Sequence, residues 1–218
     1  MFRKYEKTYR ISIPQFNVPG KHVLSKKDVK SLLGGKVTVE EKMDGANVGI
    51  IRHKSGFALQ KRGSLVGESE HEQFSFFNNW ANSRNYDKIM SVPSGNITYG
   101  ELMYAIHTIY YDSLPDYFLV FDVWNGKKYL PRKERDVFCE KHGFHQVPLV
   151  DEGYFYLDDL YKLIPDRSKY GEVAEGIVVK RCSKKNYMRG KIVKKEFIKT
   201  LENSKHWIRY NIKTNTLQ

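Results

Sequence analysis

Hydrophobic and polar residues alternate in several short stretches of this chain, and the alternation predicts a protein rich in β-strands. Lys36–Glu40 alternates with period two, as a half-buried strand does, and Val48–Arg52 has the composition of a second strand. Between them, Asp44 and Gly45 are typical of a turn. We therefore predict a strand–turn–strand unit with Lys42 beside the turn.

Further strands are predicted on both sides of this unit. The segment Tyr117–Trp124 is almost continuously apolar, as expected of a strand buried on both faces, and Asn125-Gly126 after it is typical of a tight hairpin turn. The other predicted strands are Ile11–Ile13 before Pro14, Gly56–Arg62, Asn96–Tyr104, Glu175–Arg181 and Lys191–Lys194.

Helices are predicted where apolar residues recur at helical spacing. In residues 70–90, Phe74, Phe77, Trp80 and Ala81 follow this spacing, which favours a helix packed on a core. The other predicted helices are a short one from Ser25 through Leu33, Pro131–His142 ending at Gly143, Leu157–Ile164, and Glu196–Trp207. The pattern predicts an α+β fold with helices outside a pair of antiparallel-rich sheets, in one domain spanning 1–218.

Composition narrows the class of protein. The 218 residues contain no apolar run as long as a membrane span, and the first residues do not resemble a signal peptide. With Cys139 and Cys182 as the only cysteines, we expect a reduced, cytoplasmic setting and no membrane partner. The net charge of +12 favours partners that carry phosphate, such as nucleic acid or ATP.

Charged residues on otherwise apolar strands are the candidate chemistry. Glu101, Glu175, Lys191 and Lys194 lie on or beside such strands, where a charge is costly unless it is paired, binds a metal or faces a wet cleft. Structural salt bridges explain each one singly. Together with Lys42, however, they form a set suited to nucleotidyl transfer, because desolvation and nearby positive charge lower the pKa of a lysine and free its lone pair.

Two other kinds of site are less well supported by the sequence. Gly35-Lys36 lacks the first glycine and the following Ser or Thr of a phosphate-binding P-loop. Cys139, His142 and His145 are evenly spaced but have no convincing fourth ligand for zinc.

The motif Lys42-Met-Asp-Gly45 resembles motif I of the covalent nucleotidyltransferases, which comprise DNA ligases, RNA ligases and mRNA capping enzymes. Five further segments resemble the later motifs of this superfamily in the family's order and extend the similarity over residues 37–197. They are Lys61-Arg-Gly63 for motif Ia, Tyr99–Leu102 for III, Phe118–Val123 for IIIa, Glu175–Lys180 for IV and Lys191–Lys194 for V.

Three details are similar to RNA ligases of the RNA ligase 2 and RNA-editing type, including stand-alone bacterial and phage enzymes. They are Asn47 five positions after the lysine, the segment Gly100–Phe118, and Lys191–Phe197 followed by His206-Trp207. Such enzymes usually have Lys-x-Lys in motif V, whereas Val193 takes the place of the second lysine here. Either Lys194 or Lys195 is therefore that second lysine.

The resemblance implies a ligase core of the ATP-grasp-like nucleotidyltransferase fold and a reaction in three steps. Lys42 attacks ATP to form lysyl-AMP, AMP passes to the 5′-phosphate of an RNA end, and a 3′-hydroxyl then displaces AMP. The implied cofactors are ATP and Mg²⁺ or Mn²⁺, with the metal at Glu175. The implied partner is RNA with 5′-phosphate and 3′-hydroxyl ends, and a nicked duplex is one form that this RNA can take.

The resemblance also assigns a role to each site residue. Lys191 and Lys194 neutralise the α-phosphate, Asn47 orients a phosphate in the joining step, and either Glu40 or Glu41 contacts the adenine edge. Arg62 and Glu101 hold the ribose, although Arg62 also suits a basic face.

Three further residues keep a structural alternative. Phe121 stacks on adenine or belongs to the core, and Lys180 contacts a phosphate or lies on the surface. Asp44 serves the turn more than the chemistry.

Too few residues follow Lys194 for the five-stranded OB domain that DNA ligases and capping enzymes append. We therefore expect a core without an OB domain, which needs a partner protein or is missing a C-terminal domain. Three alternatives to an RNA ligase stay open at this point: a nick-sealing DNA ligase, a GTP-dependent capping guanylyltransferase, and an RNA-binding module without catalysis.

Overall fold

The computed structural model describes residues 2–13, 22–67, 70–183, 186–197 and 212–218. Within these ranges the chain divides into two compact units. The first unit contains the described residues of 2–6, 44–146 and 212–218, and the second contains those of 7–43 and 147–197. The single domain expected over 1–218 stays a prediction.

Each unit has its own β-sheet. The strands in chain order are β1 (Tyr9–Arg10), β2 (Val37–Glu41), β3 (Ala46–Arg52), β4 (Phe57–Lys61), β5 (Ser64–Leu65), β6 (Ile97–Leu102), β7 (Phe118–Trp124), β8 (His145–Gln146), β9 (Leu149–Gly153), β10 (Gly176–Cys182) and β11 (Tyr187–Val193). The helices are α1 (Lys26–Leu33), α2 (Glu72–Asn82), α3 (Tyr86–Met90) and α4 (Arg132–His142), with a 3-10 helix over Leu157–Leu163.

The first unit contains a six-stranded sheet in the order β5-β4-β3-β6-β7-β8. Neighbouring strands are antiparallel except β7 and β8. Val48 and Ile50 point to one face, as their alternation predicts, and pack with Phe77 and Trp80 of α2 and Phe138 of α4 in one hydrophobic core. The prediction that β7 is buried on both faces is confirmed, because six of its seven residues are buried.

The second unit contains a five-stranded sheet in the order β1-β11-β10-β2-β9, antiparallel except for β1 with β11. Its core combines Val37 and Val39 of β2 with Ile177 and Val179 of β10 and the buried face of α1. Helix α1 begins as predicted, since the Asp28 N–H donates to Ser25 Oγ at 3.1 Å. Two mostly antiparallel sheets with flanking helices confirm the predicted α+β class.

Several predicted boundaries differ in detail. The helix expected within residues 70–90 is two helices, α2 and α3, separated by a turn at 83–85. Helix α4 ends as predicted, at a Gly143 whose φ of +68° lies in the left-handed region. The predicted strand β11 begins earlier, at Tyr187. The helix expected over Glu196–Trp207 lies mainly outside the described residues.

Strand β9 was not predicted, because Asp151, Glu152 and Gly153 belong to residue types that are depleted in strands. In the described ranges β9 pairs with β2 alone, so its composition is determined by an edge position rather than by the core. As to membranes, none of the helices in the described ranges combines the length and apolarity that a crossing requires.

Candidate active site

Lys42 follows strand β2 directly and is held from two sides in the second unit. Its backbone N–H donates to the Gly176 carbonyl oxygen at 2.9 Å, which continues the register in which Glu41 lies opposite Ile177. Its Nζ forms an ion pair and hydrogen bond with Glu175 Oε2. The two side chains are 19% and 6% exposed. The sheet therefore places the motif I lysine and the motif IV glutamate in contact.

Glu175 adds a carboxylate to the environment of Lys42, beside the cations that the sequence predicts there. The Nζ also lies 3.4 Å from the Met43 carbonyl oxygen. The lysine is thus oriented by acceptors on its own unit.

Glu40 and Lys180, which the sequence suggested as separate nucleotide contacts, are paired with each other. Lys180 Nζ lies 2.7 Å from Glu40 Oε2. Both side chains are buried, because Lys180 is on the central strand β10 and Glu40 is on its neighbour β2, which is also an inner strand. The pair satisfies two charges that would otherwise be costly in the core of the sheet.

Glu41 has a different environment from Glu40. It is buried, and its Oε2 accepts a hydrogen bond from the Lys169 N–H at 3.1 Å. Burial raises the pKa of the Glu41 carboxyl. Its Oε1 is buried and has no hydrogen-bond partner within the described ranges. Of the two glutamates left open by the sequence, Glu40 is paired with a lysine, whereas Glu41 keeps one acceptor atom without a hydrogen bond from the described residues.

The motif V lysines lie on and after strand β11. Lys191 is half-buried and opposes Val178 of β10. The Lys194 backbone N–H donates to the Glu175 carbonyl oxygen at 2.9 Å, whereas its Nζ donates to the Asp166 carbonyl oxygen at 3.1 Å. Lys195 is exposed. The backbone of Lys194 is therefore tied to Glu175, and the choice between Lys194 and Lys195 as second lysine stays open.

Asn47 and Glu101 form a cross-strand pair in the first unit. They are directly opposite each other in the register of β3 and β6, so their side chains are on the same face of the sheet. The Asn47 Oδ1 is buried and has no hydrogen-bond partner in the described part of the chain. Because the core-facing positions of β3 are Val48 and Ile50, this pair lies on the opposite face from that core.

Phe121 of β7 is covered by Tyr5, which no sequence pattern distinguishes. The ring of Tyr5 lies 5.0 Å from that of Phe121, centroid to centroid, and the Tyr5 hydroxyl donates to Asp122 Oδ2. Phe121 is 9% exposed. A position 116 residues earlier in the chain carries no local sequence signal for this contact.

Arg62 lies in the turn between β4 and β5 and is exposed. Its neighbour Lys61 is instead paired with Glu70, at 2.7 and 2.8 Å from the two carboxylate oxygens, and this pairing lowers the pKa of Glu70. Of the two basic residues of the motif Ia segment, Arg62 is thus the more accessible.

Asp44 is the anchor of the motif I turn in the first unit. One oxygen of its carboxylate, Oδ2, accepts hydrogen bonds from the backbone N–H groups of Thr108 and Ile109, at 2.8 and 3.0 Å. Its own N–H donates to the Tyr111 hydroxyl at 2.9 Å. The structure therefore supports the expectation that Asp44 serves the turn.

No group of three His, Cys, Asp or Glu side chains suited to a metal occurs within the described ranges. The zinc alternative at Cys139, His142 and His145 accordingly gains no support. Glu175 supplies a single buried carboxylate. One carboxylate suits Mg²⁺ or Mn²⁺ held mainly by water and phosphate oxygens, so the donor set fits that kind of ion.

Lys42 and Glu175 are thus in contact on a two-sheet α+β fold, and the match to a family of ligases places the chain in the nucleotidyltransferase superfamily. The RNA ligase family matches residues 35–196, about three quarters of the chain, and the protein belongs to that family. No curated protein matches the chain in sequence.

Solved structures of an RNA ligase from Naegleria gruberi have the same fold. The form with pyrophosphate has a TM-score of 0.67 and 16% identity, over 93% of this chain and 59% of the ligase chain. A mutant with ATP and Mn has a TM-score of 0.65 and 15% identity, over 93% and 59%. A mutant with AMP and Mn has a TM-score of 0.66 and 15% identity over the same shares. The chain therefore spans less than two thirds of the length of these ligases.

Proposed function

We propose that this chain is the catalytic core of an ATP-dependent RNA ligase that joins 3′-hydroxyl and 5′-phosphate RNA ends through a covalent lysyl-AMP. The observation that carries the proposal is the contact between Lys42 Nζ and Glu175 Oε2 at adjoining ends of β2 and β10. Membership of the RNA ligase family supports the choice of RNA over other acceptors.

In the first step, Lys42 Nζ attacks the α-phosphorus of ATP. The N–P bond forms, the bond from the α-phosphorus to the bridging oxygen breaks, and pyrophosphate leaves. Lysine attacks only as the free amine, so Nζ first passes a proton to the Glu175 carboxylate, which already accepts its hydrogen bond. Lys191 and either Lys194 or Lys195 stabilise the charge that develops on the α-phosphate.

The other predicted residues bind the nucleotide and the RNA end. Glu41 accepts a hydrogen bond from the adenine edge through Oε1, which no described residue contacts by a hydrogen bond, and this favours it over the paired Glu40. Glu101 and Arg62 hold the ribose, and Phe121 stacks on adenine. Lys180 acts chiefly through its pair with Glu40. Asn47 serves the last step, in which the 3′-hydroxyl attacks the activated 5′-phosphate and AMP leaves.

A divalent ion, Mg²⁺ or Mn²⁺, would be held at Glu175 and would neutralise phosphate charge when bound. The solved Naegleria gruberi ligases with ATP and Mn, and with AMP and Mn, support this combination of nucleotide and ion. Glu175 then has two tasks in this chain, orienting the Lys42 ammonium and holding the ion.

The solved RNA ligases that share this fold are longer than this chain. We infer that a partner protein or a further domain contributes to RNA binding, and that the positive charge of the chain provides a salt-sensitive attraction to RNA phosphates. The expected setting is the cytoplasm.

The proposal is tested with nicked duplexes that carry RNA or DNA on the 3′-hydroxyl side, incubated with ATP and Mg²⁺. We expect sealing of nicks with RNA at the 3′-hydroxyl side, with ATP but not with GTP. Equal sealing of all-DNA nicks would favour a DNA ligase, and activity with GTP alone would favour a capping enzyme. Tight RNA binding without sealing or nucleotide labelling would favour a binding module.

A further inference from the structure

Segment 212–218 is built into the first unit beside the loop that joins β6 to β7. Asn215 in this segment is 2% exposed. Its Nδ2 donates to the Met103 carbonyl oxygen at 2.7 Å, and its Oδ1 accepts from the Tyr111 N–H at 2.8 Å. One buried side chain therefore joins two points of the loop that are eight residues apart.

Backbone hydrogen bonds extend this contact along the segment. The Ile106 N–H donates to the Lys213 carbonyl oxygen at 2.8 Å, and the Thr216 N–H donates to the Tyr111 carbonyl oxygen at 2.9 Å. The Leu114 N–H donates in turn to the Thr216 carbonyl oxygen at 3.0 Å. A long loop without regular structure is thus held in one conformation by a segment distant in sequence.

The same loop holds Asp44. The Tyr111 hydroxyl accepts a hydrogen bond from the Asp44 N–H, and the Tyr111 N–H donates to Asn215 Oδ1. Tyr111 therefore links Asp44 to Asn215. Thr108 and Ile109 donate their N–H groups to the Asp44 carboxylate. Gly45, next in the turn, has no room for a side chain, because a Cβ there would lie 2.5 Å from the Leu102 carbonyl oxygen.

We propose that Asn215 is a positioning residue for the Lys42–Gly45 turn, acting through Tyr111 and the loop 103–117. Asp44 is two positions after Lys42, so a loop that fixes Asp44 also restricts where the lysine backbone can lie. Displacing a nucleophile by about 1 Å can reduce a reaction rate by roughly 100-fold. The kinetic part of this inference rests on the proposed lysyl-AMP chemistry, whereas its structural part does not.

The test compares Asn215→Ala and Asn215→Asp with Thr214→Ala, a matched control at an exposed position of the same segment. Asn215→Asp keeps the shape of the side chain and the acceptor for the Tyr111 N–H but removes the Nδ2 donor. In each full-length variant we measure amide hydrogen exchange at Thr108 and Ile109, and the rate of protein adenylation as a function of ATP concentration.

For Asn215→Ala we expect loss of exchange protection at Thr108 and Ile109, with the amides of β6 and β7 still protected. The maximal adenylation rate should fall about 10- to 100-fold. The ATP concentration that gives the half-maximal rate should change less. Asn215→Asp places a buried carboxylate oxygen against the Met103 carbonyl oxygen, so its effect should be at least as large as that of Asn215→Ala, whereas Thr214→Ala should change neither readout.

Unchanged protection of Thr108 and Ile109 in Asn215→Ala overturns the inference, as does an unchanged adenylation rate. If both Asn215 variants lose protection in β6 and β7 as well, Asn215 is a general folding residue and the positioning role is wrong. Failure of the proposed function has a different signature: the unsubstituted protein takes up no nucleotide, while the exchange result at Thr108 and Ile109 still reports on the loop.

Discussion

Glu40 and Lys180 form a buried ion pair across neighbouring strands, with Lys180 Nζ 2.7 Å from Glu40 Oε2 and side chains that are 1% and 7% exposed. Buried pairs of this kind add little net stability, but removing one partner leaves an uncompensated charge in the core. The stability of variants at this pair therefore distinguishes a structural role of Lys180 from a role in phosphate binding.

We predict that Lys180→Met lowers the free energy of unfolding by about 3–5 kcal/mol, because it leaves the Glu40 carboxylate buried without its cation. Adding Glu40→Leu to Lys180→Met should recover much of the loss. Urea denaturation at pH 7 measures both. Lys162→Met is the matched control: Lys162 and its partner Asp159 are both exposed, so this substitution should leave the free energy of unfolding nearly unchanged. A small loss for Lys180→Met would contradict the structural role.

Gly176 follows the motif IV glutamate directly, accepts the backbone N–H of Lys42 and has no space for a side chain. A Cβ there would be 2.1 Å from the Ile192 carbonyl oxygen of the neighbouring strand. We predict that Gly176→Ala lowers the free energy of unfolding by about 1–3 kcal/mol, because β10 and β11 must move apart. Gly56→Ala, where a Cβ meets nothing within 4 Å, should be nearly neutral by the same denaturation measurement. Equal effects of the two substitutions would show that the short distance from a Cβ at position 176 to the Ile192 carbonyl oxygen does not lower stability.

The stability of the first unit should also depend on pH through His142. Burial lowers the pKa of His142, with a further contribution from Lys141, so the unfolded chain accepts a proton more readily than the folded one. The contribution of neutral His142 to the free energy of unfolding is therefore complete above pH 6.5, the ordinary pKa of histidine. This contribution is lost as the pH falls below that value. The free energy of unfolding, measured from pH 8 to 5, should decrease over the lower part of this range, and His142→Gln should flatten the decrease. A slope that is unchanged in His142→Gln would assign the effect to other groups.

The sequence predicted most of the elements that carry the candidate site, because these elements depend on local patterns. The turn after β2, the buried strand β7 and the end of α4 at Gly143 follow from alternation, continuous apolarity and a left-handed glycine. The ordered motifs also selected Lys42 and Glu175 as members of one site, and the structure places these two in contact.

What the sequence could not predict depends on partners distant along the chain. Tyr5 covers Phe121, and Asn215 holds the loop near Asp44, yet neither residue has a local pattern that distinguishes it from a surface residue. The pairing of Glu40 with Lys180 required the register of β2 against β10, which periodicity alone does not give. These contacts are long-range hydrogen bonds and ion pairs rather than features of a single element.

Covalent uptake of AMP by Lys42 is measured by labelling the protein with ATP that carries radioactive phosphorus at the α-position. The unsubstituted chain, Lys42→Arg and Lys54→Ala are each incubated with this ATP and Mg²⁺. The label that each protein retains is then measured on a denaturing gel. Lys42→Arg keeps a positive charge beside Glu175 but removes the nucleophilic amine. Lys54 is an exposed lysine of the β3–β4 turn. The account predicts label on the unsubstituted chain and on Lys54→Ala, and none on Lys42→Arg. Label on Lys42→Arg, or its absence from the unsubstituted chain, would contradict the account.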